Sequence, residues 1–196
     1  MTILLFDDFN RADNALTPNP PSDGLAVWQP GTTATPTIYG ISGHRLYPAD
    51  PEDGGPTWRD CGTPNHGIEI TVFYGVFVTV RNSNDVDFIT WWVDNTFNGG
   101  IYRRDVSFFD RIATFPATPV DGDILRMECI GDVINCYQNG AFKGTVTTTF
   151  NNTATGAGII VEAGGFADDC TIYSTAAPPS PSAAVPFRRF QGYARA

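Results

Sequence analysis

The sequence predicts an all-β protein, an antiparallel sandwich of two sheets, and three observations carry that expectation. Apolar and polar residues alternate with a period of two through many stretches, most plainly in residues 121–150, DGDILRMECIGDVINCYQNGAFKGTVTTTF. Turn formers are abundant: 20 glycines and 15 prolines among 196 residues, with aromatics at 13%. No long stretch carries the 3.6-residue period of a helix, and no internal repeat is present.

Residues 121–150 define their own register. Ile124, Arg126, Glu128 and Ile130 fall on one face, and Leu125, Met127 and Cys129 on the other. A two-residue turn at Gly131-Asp132 sets Cys129 opposite Ile134, Met127 opposite Cys136 and Leu125 opposite Gln138. Gln138 is the one break in the apolar face. Asn139-Gly140 is a second hairpin signal, because both residues tolerate the left-handed conformation. It sets Tyr137 opposite Phe142 on the outer face, where a cross-strand aromatic pair steadying the hairpin outweighs a small sugar platform.

The pattern GD-x-LRMEC-x-GD-x-INCYQNG-x-x-KG resembles the penultimate hairpins of concanavalin A-like, laminin-G-like modules. The opening run FDDFNRADNAL resembles the first strand of bacterial and bacteriophage members of that family. IYGISGHRLYPA and the closing segments GAGIIVEAG and FADDCTIYS follow the family's order, so the resemblance runs from about residue 3 to 175. It implies a jelly-roll β-sandwich whose first and last strands are neighbours.

From the N-terminus, residues 2–9 read as a strand, and a polar, proline-rich loop leads to Trp28. Residues 38–49 read as two strands around a Ser42-Gly43 turn, and 49–66 as a long loop pinned by Trp58 and Arg59. Between 67 and 96 two long strands are expected, with Gly75 marking a β-bulge that resets the face. Gly99-Gly100 then leads into a hairpin over IYRRDVSFFDRIATF. Residues 1–175 make the sandwich domain, which at that size buries about 70% of its unfolded surface and needs no staple. Residues 176–186 make a Pro/Ala/Ser-rich linker, and 187–196 an arginine-aromatic docking peptide with Phe187, Arg188, Arg189, Phe190, Tyr193 and Arg195. The peptide is expected to dock onto its own domain, a copy of itself or another protein; the alternatives are a frayed chain end and nucleic-acid contact by the tail.

The formal net charge of −9 argues against nucleic-acid binding through the sandwich. No apolar run approaches the roughly 20 residues of a membrane span, so no membrane insertion is expected. MTILLFDDFN lacks the basic and apolar regions of a signal peptide, so no Sec export is expected. Cys61, Cys129, Cys136 and Cys170 read as buried free thiols in preference to a disulfide, and no zinc spacing is present.

The family includes glycoside hydrolases, which need a pair of carboxylates about 5 to 5.5 Å apart when they retain configuration. Glu69 stands alone on its strand, and Asp85 and Asp87 read as solvated turn acids. No nucleophile motif is present, and no catalytic residue is assigned. Asp121, Asp123, Asp168 and Asp169 read as turn-capping acids in preference to calcium ligands; no cofactor or metal is expected. Carbohydrate binding is the better ligand hypothesis. Trp91 and Trp92 are consecutive on a strand, so one packs in the core and the other lies outside, where its ring can stack on a sugar. Asp94, Asn95, Asn98 and Tyr102 would add hydrogen bonds. The competing reading has the outer tryptophan covered by the 49–66 loop, the tail or a partner.

Together, the resemblance to phage modules and the basic tail imply a non-enzymatic virion protein, a minor tail or decoration protein assembled in the bacterial cytoplasm. Its expected partners are other virion proteins through the tail, further copies of itself, and a host-surface glycan. A stand-alone carbohydrate-binding module and a glycan-cleaving enzyme are the alternatives.

Overall fold

The computed structural model describes residues 1–10, 28, 39–48, 56–84, 86–93, 99–106, 108–115 and 118–175. The linker and docking peptide, 176–196, lie outside the described residues, as does Asp85. Fourteen strands follow in order: β1 Thr2–Asp7, β2 Tyr39–Ser42, β3 Arg45–Pro48, β4 Thr57–Asp60, β5 His66–Phe73, β6 Val76–Asn82 and β7 Phe88–Trp92. Next come β8 Gly100–Arg104, β9 Phe109–Thr114, β10 Asp123–Ile130, β11 Val133–Gln138, β12 Ala141–Thr147, β13 Gly156–Val161 and β14 Phe166–Ser174.

They form two antiparallel sheets. The larger runs β12-β11-β10-β5-β14-β3-β2, with β1 also paired to β14, and the six-stranded one runs β4-β13-β6-β7-β8-β9. The first and last strands are neighbours, with Thr2 opposite Ser174 and Asp7 opposite Cys170. Asp7 is buried and closes the first strand: its carboxylate accepts the Phe9 amide (2.9 Å) and the Trp28 indole N–H (2.9 Å). This gives the FDDF run a physical task, since a buried carboxylate must be met by donors.

The inner faces meet in one core. Ile68, Ile70, Leu125, Met127, Cys129, Ile134 and Cys136 from the larger sheet pack against Val76, Val78, Val80, Ile89, Trp91 and Ile101 from the smaller. Every cross-strand pair expected at the Gly131-Asp132 turn is observed, and Tyr137 faces Phe142 across the next hairpin. The four cysteines are buried and free. Burial pushes the Cys61 and Cys129 thiols up to about 12.

Three local expectations are corrected. Residues 57–60 are not loop: they form β4, which pairs with β13 at the edge of the smaller sheet. The backbone of β4 approaches β13 closely because Gly156 and Gly158 present no side chains to Trp58 and Thr57. The turn between β2 and β3 is formed by Gly43 and His44, both at positive φ, one residue later than Ser42-Gly43. Gly75 is no bulge within a continuing pair of strands. Tyr74 (φ 30°) and Gly75 (φ 63°) form a corner that hands the chain from the larger sheet to the smaller one. A bulky residue with positive φ is strained by about 1–3 kcal/mol.

Candidate functional site

The outer face of the smaller sheet carries an aromatic array that β-strand alternation builds. Val76, Val78 and Val80 of β6 point into the core, which sends Phe77 and Thr79 outward. On β7, Ile89 and Trp91 point inward, and Phe88, Thr90 and Trp92 outward. Trp91 is fully buried in the core and takes no part in an outer surface. The outer ring is Trp92, half-buried.

Trp92 stands opposite Gly100 in the β7–β8 pair, and Tyr102, two residues on, shares its face. Gly100 is required there, because a Cβ would collide with the Tyr102 ring. The Tyr102 ring stacks on Phe109 of β9, with centroids 4.7 Å apart and planes within 7°. Trp92 meets both rings edge-on, at 6.0 Å to Tyr102 and 5.3 Å to Phe109. Beneath them Phe77 lies 4.5 Å from Trp92 and joins Phe88 and Ile160 in a second, smaller apolar cluster. Phe109 is the most open member of the array, 44% exposed at the sheet's edge strand. Arg104 approaches the Phe88 ring at 5.9 Å, and Arg111 stands exposed opposite Tyr102. Phe109, and Trp92 in part, leave open apolar surface over buried rings with guanidinium donors nearby, which suits a ligand with one apolar face and a polar rim.

Of the sequence-predicted residues, the structure brings Trp92 and Tyr102 together, although Tyr102 contributes its ring to the stack. Asp94, Asn95 and Asn98 lie outside the described residues. Phe77, Phe88 and Phe109 were not anticipated. A signal existed for Phe88: Phe88, Thr90 and Trp92 at alternate positions make β7 apolar on both faces.

The outer face of the larger sheet is polar. Glu69 of β5 faces Arg126 of β10, and both Glu69 (3.9 Å) and Glu128 (3.7 Å) reach the Arg126 guanidinium. Glu128 also accepts the Tyr173 hydroxyl (2.8 Å). Arg126 in turn lies 4.0 Å over the Tyr137 ring. Two carboxylates from strands 59 residues apart in sequence thus share one cation, a grouping invisible to a search along single strands. The turn acids are similarly engaged. Asp121 accepts the Tyr74 amide, Asp168 accepts the Asp169 amide, and Asp123 accepts Gln138, Asn139 and Val120. Among the described residues no group of three or more His, Cys, Asp or Glu is gathered to hold a metal ion.

No family model matches the sequence, and no curated protein does. Solved structures do match in shape. One was determined in work on endo-acting O-glycanases of the human gut microbiota that initiate mucin breakdown. It superposes with a TM-score of 0.53 at 11% identity, over 89% of this chain and 100% of that one. β-Agarase A in complex with oligoagarose superposes with a TM-score of 0.50 at 10% identity, over 88% of this chain and 92% of the agarase. The fold is a concanavalin A-like jelly roll. At these identities the likeness extends to the fold alone.

Proposed function

We propose that the domain is a non-catalytic glycan-binding module that contacts sugar through the outer face of its smaller sheet. The observation that carries this is the Trp92–Tyr102–Phe109 array, three interlocked rings ending in an exposed Phe109. The C–H face of a pyranose packs on an aromatic ring, whose π-face is electron-rich, while Arg104 and Arg111 donate to ring hydroxyls. The glycan-related neighbours of the same fold support a glycan as the ligand and do not bear on catalysis. On the other face, among the described residues, Glu69 and Glu128 both lie against Arg126 rather than standing as an open pair of carboxylates.

The finer assignment, to a bacteriophage tail or decoration protein, is supported by the resemblance of the opening FDDFNRADNAL run. In that setting the 187–196 peptide docks onto another virion protein, and many copies add weak sugar contacts into firm adhesion. A glycan array probed with the wild type, Trp92→Ala and Phe109→Ala tests the module. Both variants are expected to lose at least tenfold in binding to whichever glycan the wild type retains. Phe109 is open enough to be truncated without disturbing the core. Unchanged binding in both would remove the aromatic face as the site. Release of reducing ends from agarose, mucin or β-glucan would overturn the non-catalytic part.

A further inference from the structure

We propose a second ligand site at one end of the sandwich, built on the Tyr74–Gly75 corner, which takes the acetamido group of an N-acetylhexosamine. It rests on the glycan-binding reading above but uses none of the same residues. A recess of about 60 Å³ opens there, with Val72, Val93 and Val120 on its walls and Tyr74 and Asp121 at its rim. The recess is large enough to take a small substituent such as an acetamido group.

Two independent features mark the corner as more than a connection. Tyr74 holds a conformation that asparagine or glycine adopts at far lower cost, and its side chain is 71% exposed, so core packing does not account for the tyrosine. Residues held in sparsely populated backbone conformations cluster at ligand clamps and other functional sites. The corner is also held rigidly. The Asp121 carboxylate accepts the Tyr74 amide at 3.2 Å, and the Gly75 carbonyl accepts the Glu162 amide at 2.8 Å. The Val72 carbonyl accepts the Gly122 amide at 2.9 Å, and Gly165 lies flat against the Tyr74 carbonyl, where no Cβ would fit. Such pre-organisation lowers the entropy lost on binding.

The chemistry selects the ligand. The open apolar lining comes from Val120 and Pro119, with Val72 and Val93 nearly buried behind them, and suits a methyl group, while the Asp121 carboxylate accepts an amide N–H or a hydroxyl. The Tyr74 ring offers a face for the pyranose. An anionic sugar is disfavoured by Asp121 and by the net charge of −9.

The full chain is titrated with the methyl glycosides of N-acetylglucosamine and N-acetylgalactosamine, and with those of glucose and galactose, by saturation-transfer NMR. At least one N-acetylated glycoside is expected to bind tenfold or more tightly than its unacetylated counterpart. Tyr74→Asn should abolish that preference while raising the melting temperature, which separates loss of a site from loss of the fold. Asp121→Asn should weaken binding several-fold, and Trp92→Ala should leave this preference intact. Equal binding of acetylated and plain sugars, or a Tyr74→Asn protein that keeps the preference, would falsify the site. If Trp92→Ala alone removes sugar binding, the aromatic face stands and the corner site falls; if no sugar binds at all, both fall. A change of solution mass in Tyr74→Asn without a change in sugar binding would make the corner a contact between copies instead.

Discussion

At the scale of single residues, the most consequential pair is His66 and Arg81, both fully buried. The Arg81 guanidinium donates to the carbonyls of Thr148 (2.6 Å), Phe150 (3.0 Å) and Gly131 (2.7 Å), tying the end of β6 to the β10–β11 turn and to the connection between β12 and β13. His66 stands against it with Nδ1 at 3.0 Å from the Thr63 carbonyl, while Nε2 accepts the Arg81 amide at 3.5 Å. That places the proton of the neutral ring on Nδ1, with the Thr63 carbonyl as its acceptor. Burial first, and the Arg81 charge after it, lower the His66 pKa from 6.5 to about 4. Between those values the unfolded chain binds a proton that the folded domain refuses, so stability is full above 6.5 and falls as the pH drops toward 4. The loss is on the order of 3 kcal/mol over that window. Thermal melts from pH 7.5 to 4.5 should show it, and His66→Asn should flatten the curve. A wild-type curve that is already flat would mean that His66 protonates freely in the folded state.

At the scale of elements, the β10–β11 hairpin was legible residue by residue, because a tight turn and a buried face leave a single register; in β11–β12 the Tyr137–Phe142 pair was legible, but the register shift between Cys136 and Tyr137 was not. The one break in the apolar face, Gln138, is resolved by structure. The Gln138 amide donates to the Asp123 carboxylate at 2.7 Å, beside the Asn139 amide (2.7 Å) and the Val120 backbone (2.9 Å). Burial works to raise the Asp123 pKa, but these donors outweigh it and hold it below the usual carboxylate range. Gln138→Leu would complete the apolar stripe, yet it should destabilise the domain by about 1–3 kcal/mol by stripping a donor from a buried carboxylate. Urea denaturation measures this; a gain in stability would show that Asp123 needs only its other two donors. Two elements stayed hidden for opposite reasons. β4 is four residues in a Pro/Gly-rich segment, too short to show alternation, and exists because Gly156 and Gly158 admit it. Gly75 signalled a break correctly, but only the pairing of β5 with β10 and β14, and of β6 with β7 and β13, shows that the chain changes sheets there. The candidate site was legible to the same degree. Consecutive tryptophans guaranteed one outer ring, whereas its neighbours Phe77 and Phe109 come from strands whose order no local pattern encodes.

At the scale of the whole molecule, the two faces of the sandwich differ in kind: an aromatic one on the smaller sheet, and a charged one around Arg126 on the larger. Among the described residues every strand and the whole core lie within residues 1–175. A chain ending at Thr175 is expected to keep the melting temperature of the full chain to within a few degrees, and a large drop would show that the tail packs on the sandwich. If the docking proposal holds, the shortened chain should also fail to join virions on which the full chain assembles. Incorporation of the shortened chain at wild-type levels would show that attachment lies in the sandwich.

The pairing of β1 with β14 has a mechanical consequence. β14 lies between β5 on one side and β1 and β3 on the other, and just beyond it Thr175 donates its amide to the Asn65 carbonyl and its hydroxyl to Cys129. A pull transmitted through the C-terminal segment therefore loads β14 along its own axis. The ladder bonds on both flanks then share the tension at once, rather than parting one after another like a zip. Forced rupture is governed by the unfolding rate. A domain tethered by this end would hold under drag far better than one pulled between Thr2 and Ser174, where the first strand peels away pair by pair.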